Sequence, residues 1–219
     1  LSGEECYITN SRDSGMKSMS ILEFARLVIH ALEATGIDYL LGGSLALIAL
    51  GEPRSTLDVD IVISLPGERI RELSRELEKR QMLVPPEILL DLLIQPEGDL
   101  PVNAIHLDSG HKVELFLLRT GDAFRQSALA RRRLIDIGEP LGEVFVHAPE
   151  DLMLNKVHYY ALSRQPKHVR DIASILVVAR DQIDWTYFTK WARQLDLLDV
   201  WLEVKREVDE YLKQSKGRA

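Results

Sequence analysis

The chain has 219 residues, 46% of them hydrophobic and 28% charged, with a formal net charge of −7. This length and apolar share suit one domain with a sizeable core, and the acidic balance argues against broad, nonspecific binding of nucleic acid, although a local basic patch can still hold an RNA end. Cys6 is the only cysteine, which excludes an internal disulfide and cysteine-based metal sites and favours a reducing, cytoplasmic setting. No apolar run approaches the roughly 20 residues of a membrane span, and the start of the chain lacks the basic-then-apolar layout of a signal peptide.

Residues 1–18 are polar and read as a flexible N-terminus. Ser20 and Glu23 form a capping-box pattern, which predicts a helix with apolar positions Ile21, Phe24, Ala25, Val28 and Leu32 and a stop at Gly36. Ile37 to Leu41 reads as a short strand feeding Gly42-Gly43. Residues 44–50 are almost wholly apolar and predict a buried helix. Leu57 to Leu65 reads as a strand closed by Pro66-Gly67, followed by a charged amphipathic helix over 68–80.

Pro85-Pro86 opens a helix through Ile94, and 95–101 reads as a loop. Val102 to Leu107 and Lys112 to Leu118 form a hairpin around Asp108-Ser109-Gly110-His111. Residues 122–133 read as a helix ending in the basic run Arg131-Arg132-Arg133, and Gly142 to His147 as a further strand. From Pro149, with Glu150 and Asp151 in the first turn, the chain turns all-helical. Strands and helices do not alternate regularly and a hairpin is embedded, so the expected class is α/β (α+β): a mixed sheet flanked by helices in a core over 19–148, followed by a helical subdomain over 149–219 packed on it.

The most informative stretch runs from Gly42-Gly43-Ser44 through Arg54 and Thr56 to Asp58-Val59-Asp60. Side chains alternate across a strand, so Asp58 and Asp60 point to one face, where they repel unless something cationic joins them. A hard divalent ion prefers such oxygen ligands, and a glycine turn ahead of a helix start offers backbone N–H groups to phosphate.

This pattern, Gly-Gly-Ser, a short helix and Arg-x-Thr-x-Asp-x-Asp, resembles the signature of the nucleotidyltransferase superfamily that includes DNA polymerase beta, and within it the small bacterial branch of AbiEii-type toxins. The later elements of that branch find counterparts in Ala148-Pro149-Glu150-Asp151-Leu152, Lys156, Arg164 and Arg170-Asp171, so the resemblance covers roughly residues 38–180. It implies a nucleotidyltransferase fold that binds Mg2+ or Mn2+ through Asp58, Asp60 and a third carboxylate on a later strand. That place is taken by Glu114, where relatives usually carry aspartate; the side chain is one methylene longer and its reach differs.

In the implied reaction, a nucleoside monophosphate moves from an NTP to a hydroxyl of RNA such as a tRNA end, of a protein, or of a small molecule. Two metals about 4 Å apart serve the attacking and leaving oxygens. Asp58, Asp60 and Glu114 hold the metal, with Glu114 also helping to deprotonate the acceptor. Gly42, Gly43 and Ser44 cradle phosphates, and Arg54, Lys156 and Arg170 are candidates to neutralise them. The toxin branch raises the further expectation of an antitoxin partner.

Each assignment has a plainer rival. Ser44 can cap the buried helix, Arg54 can pair with the acids, Thr56 can simply favour the strand, and Glu114 can belong to a solvent face. Lys156 can snorkel beside Leu152, Tyr159 and Tyr160. Arg170 and Asp171 can form an ion pair between helices, and Arg131–Arg133 can be either a solvated helix end or an RNA contact. His106, His147 and His158 read as core-edge or surface residues, and Trp185, Trp191 and Trp201 as packing of the terminal helices. The alternative function is a catalytically weak or inactive nucleotide-binding protein of the same fold, acting as a regulator or complex subunit.

Overall fold

The computed structural model describes residues 19–52, 56, 58–95 and 99–216; the segment 1–18 with Cys6, and Arg54, lie outside the described residues. The first helix, α1 (Ile21–Ala34), begins at the expected capping box: Ser20 Oγ accepts from the Glu23 amide at 3.2 Å, and Glu23 Oε2 accepts from the Ser20 amide at 2.7 Å. It buries Phe24, Ala25, Val28, Ile29, Ala31 and Leu32 against the sheet.

After β1 (Asp38–Leu41), the expected helix over 44–50 shrinks to a single turn, α2 (Leu47–Leu50). Residues 43–46 form turns instead, and Ser44 is not its cap: Ala46 holds that position without a side-chain bond. The apolar run reflects burial of Leu45, Ala46, Leu47 and Leu50 rather than a full helix. Next come β2 (Asp58–Ser64), a 3₁₀ turn at Gly67–Arg69 leading into α3 (Ile70–Glu78), and α4 (Pro86–Ile94). The hairpin forms as β3 (Val102–Ile105) and β4 (Lys112–Leu117), with Gly110 at φ +71° in its turn.

Helix α5 (Ala123–Ala130) ends earlier than expected, and Arg133 opens an edge strand, β5 (Arg133–Asp136), absent from the sequence reading. The basic run is not a solvated helix end. Arg131 pairs with buried Glu150 and lies 3.5 Å over the Tyr187 ring; Arg132 bonds Asp38 at 2.7 Å; Arg133 bonds Gln182 at 2.9 Å. Guanidinium planes suit carboxylates and ring faces, so the run ties neighbouring elements together.

Strand β6 (Glu143–Val146) leads to α6 (Pro149–Ser163), α7 (Pro166–Val178), α8 (Trp185–Gln194) and α9 (Leu198–Lys216). None of these helices, among the described residues, is long and apolar enough to cross a membrane.

The six strands form one mixed sheet, ordered β3-β4-β2-β1-β6-β5. β2 runs parallel to β4, and β1 parallel to β6, while β1/β2, β3/β4 and β5/β6 are antiparallel. Period-two alternation divides the central strands. Val59, Ile61, Ile63, Val113, Leu115 and Leu117 face α1, α3 and α4 in the main core. On the other face, Val62 and Leu40 are covered by Ala128 and Leu129 of α5, with Phe116 packed beside them. The beginning of β2 and β4 on that face is left open, and it carries the acids. A second apolar cluster joins α6, α7, α8 and α9 to α2 and to Phe124 of α5. Trp191 packs on Phe124 at 5.4 Å and Trp201 on Phe188 at 4.8 Å, so the tryptophans serve packing as expected.

Candidate active site

The register places Asp58 beside Lys112 and Asp60 beside Glu114, with Asn103 of β3 opposite Glu114. All five side chains therefore lie on the open face of the sheet. Lys112 reaches two of the acids: its Nζ lies 2.6 Å from Glu114 Oε1 and 3.2 Å from Asp58 Oδ1. The Glu114 hydrogen bond chiefly raises the lysine above its usual value. Asp60 is the more enclosed acid. Burial raises its carboxyl above the ordinary range, Glu114 and Asp58 push the same way, and Lys156 and Lys112 oppose them.

The glycine turn closes on the same acid. The Gly42 amide donates to the Asp60 carbonyl at 2.9 Å, so the end of β1 is pinned to β2 at that residue. Gly43 adopts φ +57°, and a Cβ there would stand 1.7 Å from Asp60 Oδ2. Only glycine lets the backbone lie this close to the carboxylate. With α2 reduced to one turn, any phosphate cradle depends on the turn at Gly42, Gly43 and Ser44 and not on a long helix behind it. Thr56 tightens the approach to β2, its hydroxyl donating to the Asp58 carbonyl at 3.1 Å.

The opposite wall comes from α6 and α7. Lys156 is buried and paired at 2.8 Å with buried Asp171. Asp171, one position after Arg170, ties the two helices through this lysine; Arg170 itself is exposed and is not among the residues lining the cleft. Arg164 is also elsewhere, bonding Glu203 of α9 at 2.6 Å.

His147, expected at the core edge or surface, is buried at the back of the cleft. Burial keeps its imidazole neutral, with the pKa pushed down to about 3, and the Arg125 and Lys156 charges act in the same direction. A Cβ on Gly42 would approach its Nε2 to 3.3 Å, so the histidine backs the glycine turn. Asn155 lies 3.5 Å from the same nitrogen.

Together these elements enclose a cleft of about 910 Å³ lined by Gly42, Gly43, Ser44, Asp58, Asp60, Glu114 and Lys156, and also by Thr56, Asn103, His147, Asn155 and Tyr159. Seven candidate residues thus meet around one space, Arg170 lies apart, and Arg54 lies outside the described residues. The sequence reading gave no site role to Lys112, Asn103 or Asn155, and it placed His147 at the core edge or surface. Lys112 carried a readable signal, since it stands two residues before Glu114 and shares its face.

Among the described residues no three carboxylate, imidazole or thiol side chains are gathered at one point. The donors nonetheless suit a hard divalent ion: Asp58, Asp60 and Glu114 offer only oxygen and share one face, and two of them, Asp58 and Glu114, already hold a cation in Lys112.

No family model and no curated protein sequence matches the chain. Solved structures do. The solution structure of the antibiotic-resistance factor ANT(2'')-Ia is similar over 90% of this chain and 97% of that chain, with a TM-score of 0.51 and 14% identity. A crystal structure of ANT(2'')-Ia in complex with adenylyl-2''-tobramycin covers 71% of this chain and 87% of its own, with a TM-score of 0.49 and 16% identity. An antigenic nucleotidyltransferase-like protein from Paracoccidioides brasiliensis covers 71% and 75%, with a TM-score of 0.46 and 20% identity. The first likeness shows the fold: a mixed sheet with flanking helices, shared with that antibiotic-resistance factor.

Proposed function

We propose that this protein is a divalent-metal-dependent nucleotidyltransferase that moves a nucleoside monophosphate from an NTP to an acceptor hydroxyl. The observation that carries the reading is the alignment of Asp58, Asp60 and Glu114 on one open sheet face, with Gly43 packed against Asp60. The core over 19–148 supplies this face, and the helical part over 149–219 supplies the opposite wall through Asn155, Lys156 and Tyr159.

In this mechanism Asp58, Asp60 and Glu114 would hold Mg2+ or Mn2+, which would offset charge on the phosphates and on the attacking oxygen. The Gly42–Ser44 turn binds the outer phosphates through backbone N–H groups and the Ser44 hydroxyl. Lys156, held by Asp171, sets a fixed positive field beside Asp60. Glu114 takes the proton of the acceptor hydroxyl. The new bond joins the acceptor oxygen to the α-phosphorus, the bond from that phosphorus to the bridging oxygen breaks, and pyrophosphate leaves with the electron pair. His147, neutral and buried, supports the turn without adding charge.

The AbiEii-like motifs favour an RNA or protein acceptor, with an antitoxin as the matching partner. The fold shared with an antibiotic-resistance factor adds small-molecule hydroxyls. The test is incubation with each α-labelled NTP and Mg2+ against total RNA, total protein and a panel of aminoglycosides. The reading expects label in one acceptor class, pyrophosphate release, and loss of both with EDTA. A second reading, nucleotide binding without turnover, is favoured by the grip of Lys112 on Glu114. It expects tight NTP binding with no pyrophosphate release against any acceptor.

A further inference from the structure

Lys112 has no task in the mechanism above, yet its ammonium lies among the groups that mechanism needs. It contacts Glu114 Oε1 at 2.6 Å and Asp58 Oδ1 at 3.2 Å, reaching one acid on its own strand and one on the neighbouring strand. The register fixes this arrangement, because Lys112 is paired with Asp58 and Glu114 with Asp60. The acid face is thereby divided. Asp60 lies on the side of the glycine turn, within the field of Lys156, while Asp58 and Glu114 are bridged by an ammonium.

An ammonium and a divalent ion draw on the same carboxylate lone pairs, so an oxygen engaged by one is lost to the other. The lysine is also free to leave. Its side chain is 33% exposed and carried on a flexible four-carbon stem, whereas the Lys156–Asp171 pair is buried.

We propose that Lys112 is a built-in counter-ion that closes the Asp58–Glu114 half of the acid face, so that the protein takes up one divalent ion readily and a second only as Lys112 is displaced. The inference rests on the metal-and-nucleotide reading of the cleft. It gives Lys112 a positioning role: the residue acts through Asp58 and Glu114, setting when Glu114 is released for the acceptor side.

The test is titration of the full chain with Mn2+, with free ion read by electron paramagnetic resonance. The wild type is expected to bind one Mn2+ tightly. Lys112→Met is expected to bind two, the second site tightening about tenfold through loss of two competing charge contacts. Lys112→Arg, which keeps the charge, should stay at one. Lys167→Met removes a positive charge from the α7 rim of the same cleft and should also leave the count at one. Lys112→Gln repeats the measurement with a polar side chain of similar reach. One site of equal affinity in every protein overturns the role of Lys112 alone, as does a Lys167→Met result that matches Lys112→Met. No Mn2+ bound by the wild type or by either neutral Lys112 variant overturns the metal reading of the cleft as well.

Discussion

Replacing Gly43 with alanine tests how tightly the glycine turn and the acid pair are coupled. The residue sits at φ +57°, a left-handed conformation that costs a residue with a Cβ about 1–2 kcal/mol. The added Cβ would also stand 1.7 Å from Oδ2 and 2.6 Å from Cγ of Asp60. Carbon and oxygen settle at roughly 3.5 Å, so the carboxylate must retreat by more than about 1 Å. A displacement of that size in a reacting site costs on the order of 10²-fold in rate. Gly43→Ala should therefore lose about 2–8 °C of melting temperature and about 100-fold in Mg2+-dependent pyrophosphate release. Gly36→Ala separates the two effects: Gly36 has φ +62° and nothing within 4 Å of an added Cβ. It should show a similar loss in calorimetry and unchanged turnover. Turnover within twofold of wild type in Gly43→Ala, or an equal loss in Gly36→Ala, would refute the coupling.

Asp151 supplies a pH prediction. Burial lifts its carboxyl from 3.8 to about 6, with the nearby Tyr187 hydroxyl and Arg131 opposing. A raised carboxyl favours the folded state while protonated; that contribution is complete below pH 3.8 and is lost as pH rises through about 6. Asp151→Asn stays neutral throughout, so denaturant titrations should match wild type near pH 3.5 and show a gain of up to about 3 kcal/mol at pH 8; a pH-independent difference contradicts the assignment. Lys156→Met should destabilise the protein by about 3–5 kcal/mol by leaving buried Asp171 without this partner, and adding Asp171→Asn should recover much of the loss. A Lys156→Met protein that melts like wild type rules out a strong pair.

Asp58 and Asp60 were legible because local alternation puts both on one face of a strand, and the capping box at Ser20 fixes α1 in the same local way; Glu114 was joined to them by the resemblance, since its place beside Asp60 comes from strand pairing. Lys112 obeyed that alternation too, but its link to Asp58 depends on the parallel pairing of β2 with β4, which no local pattern specifies. His147 and Asn155 were hidden for a similar reason. His147 reaches the cleft at the end of β6, its amide donating to the Leu41 carbonyl of β1, and Asn155 reaches it from α6. One step along α7, about 100° of helix rotation, exposes Arg170 and buries Asp171, and only tertiary packing selects that phase. β5 has four residues and begins at the last of three arginines whose charges read as a helix end; their partners Glu150, Asp38 and Gln182 come from distant segments.

The most direct test of the central claim is isothermal titration of NTP with and without Mg2+ into the wild type and Asp60→Ala. The account predicts Mg2+-dependent NTP binding in the wild type, and an Asp60→Ala protein that remains folded by circular dichroism but loses this dependence. Equal Mg2+-dependent binding by both proteins would contradict it.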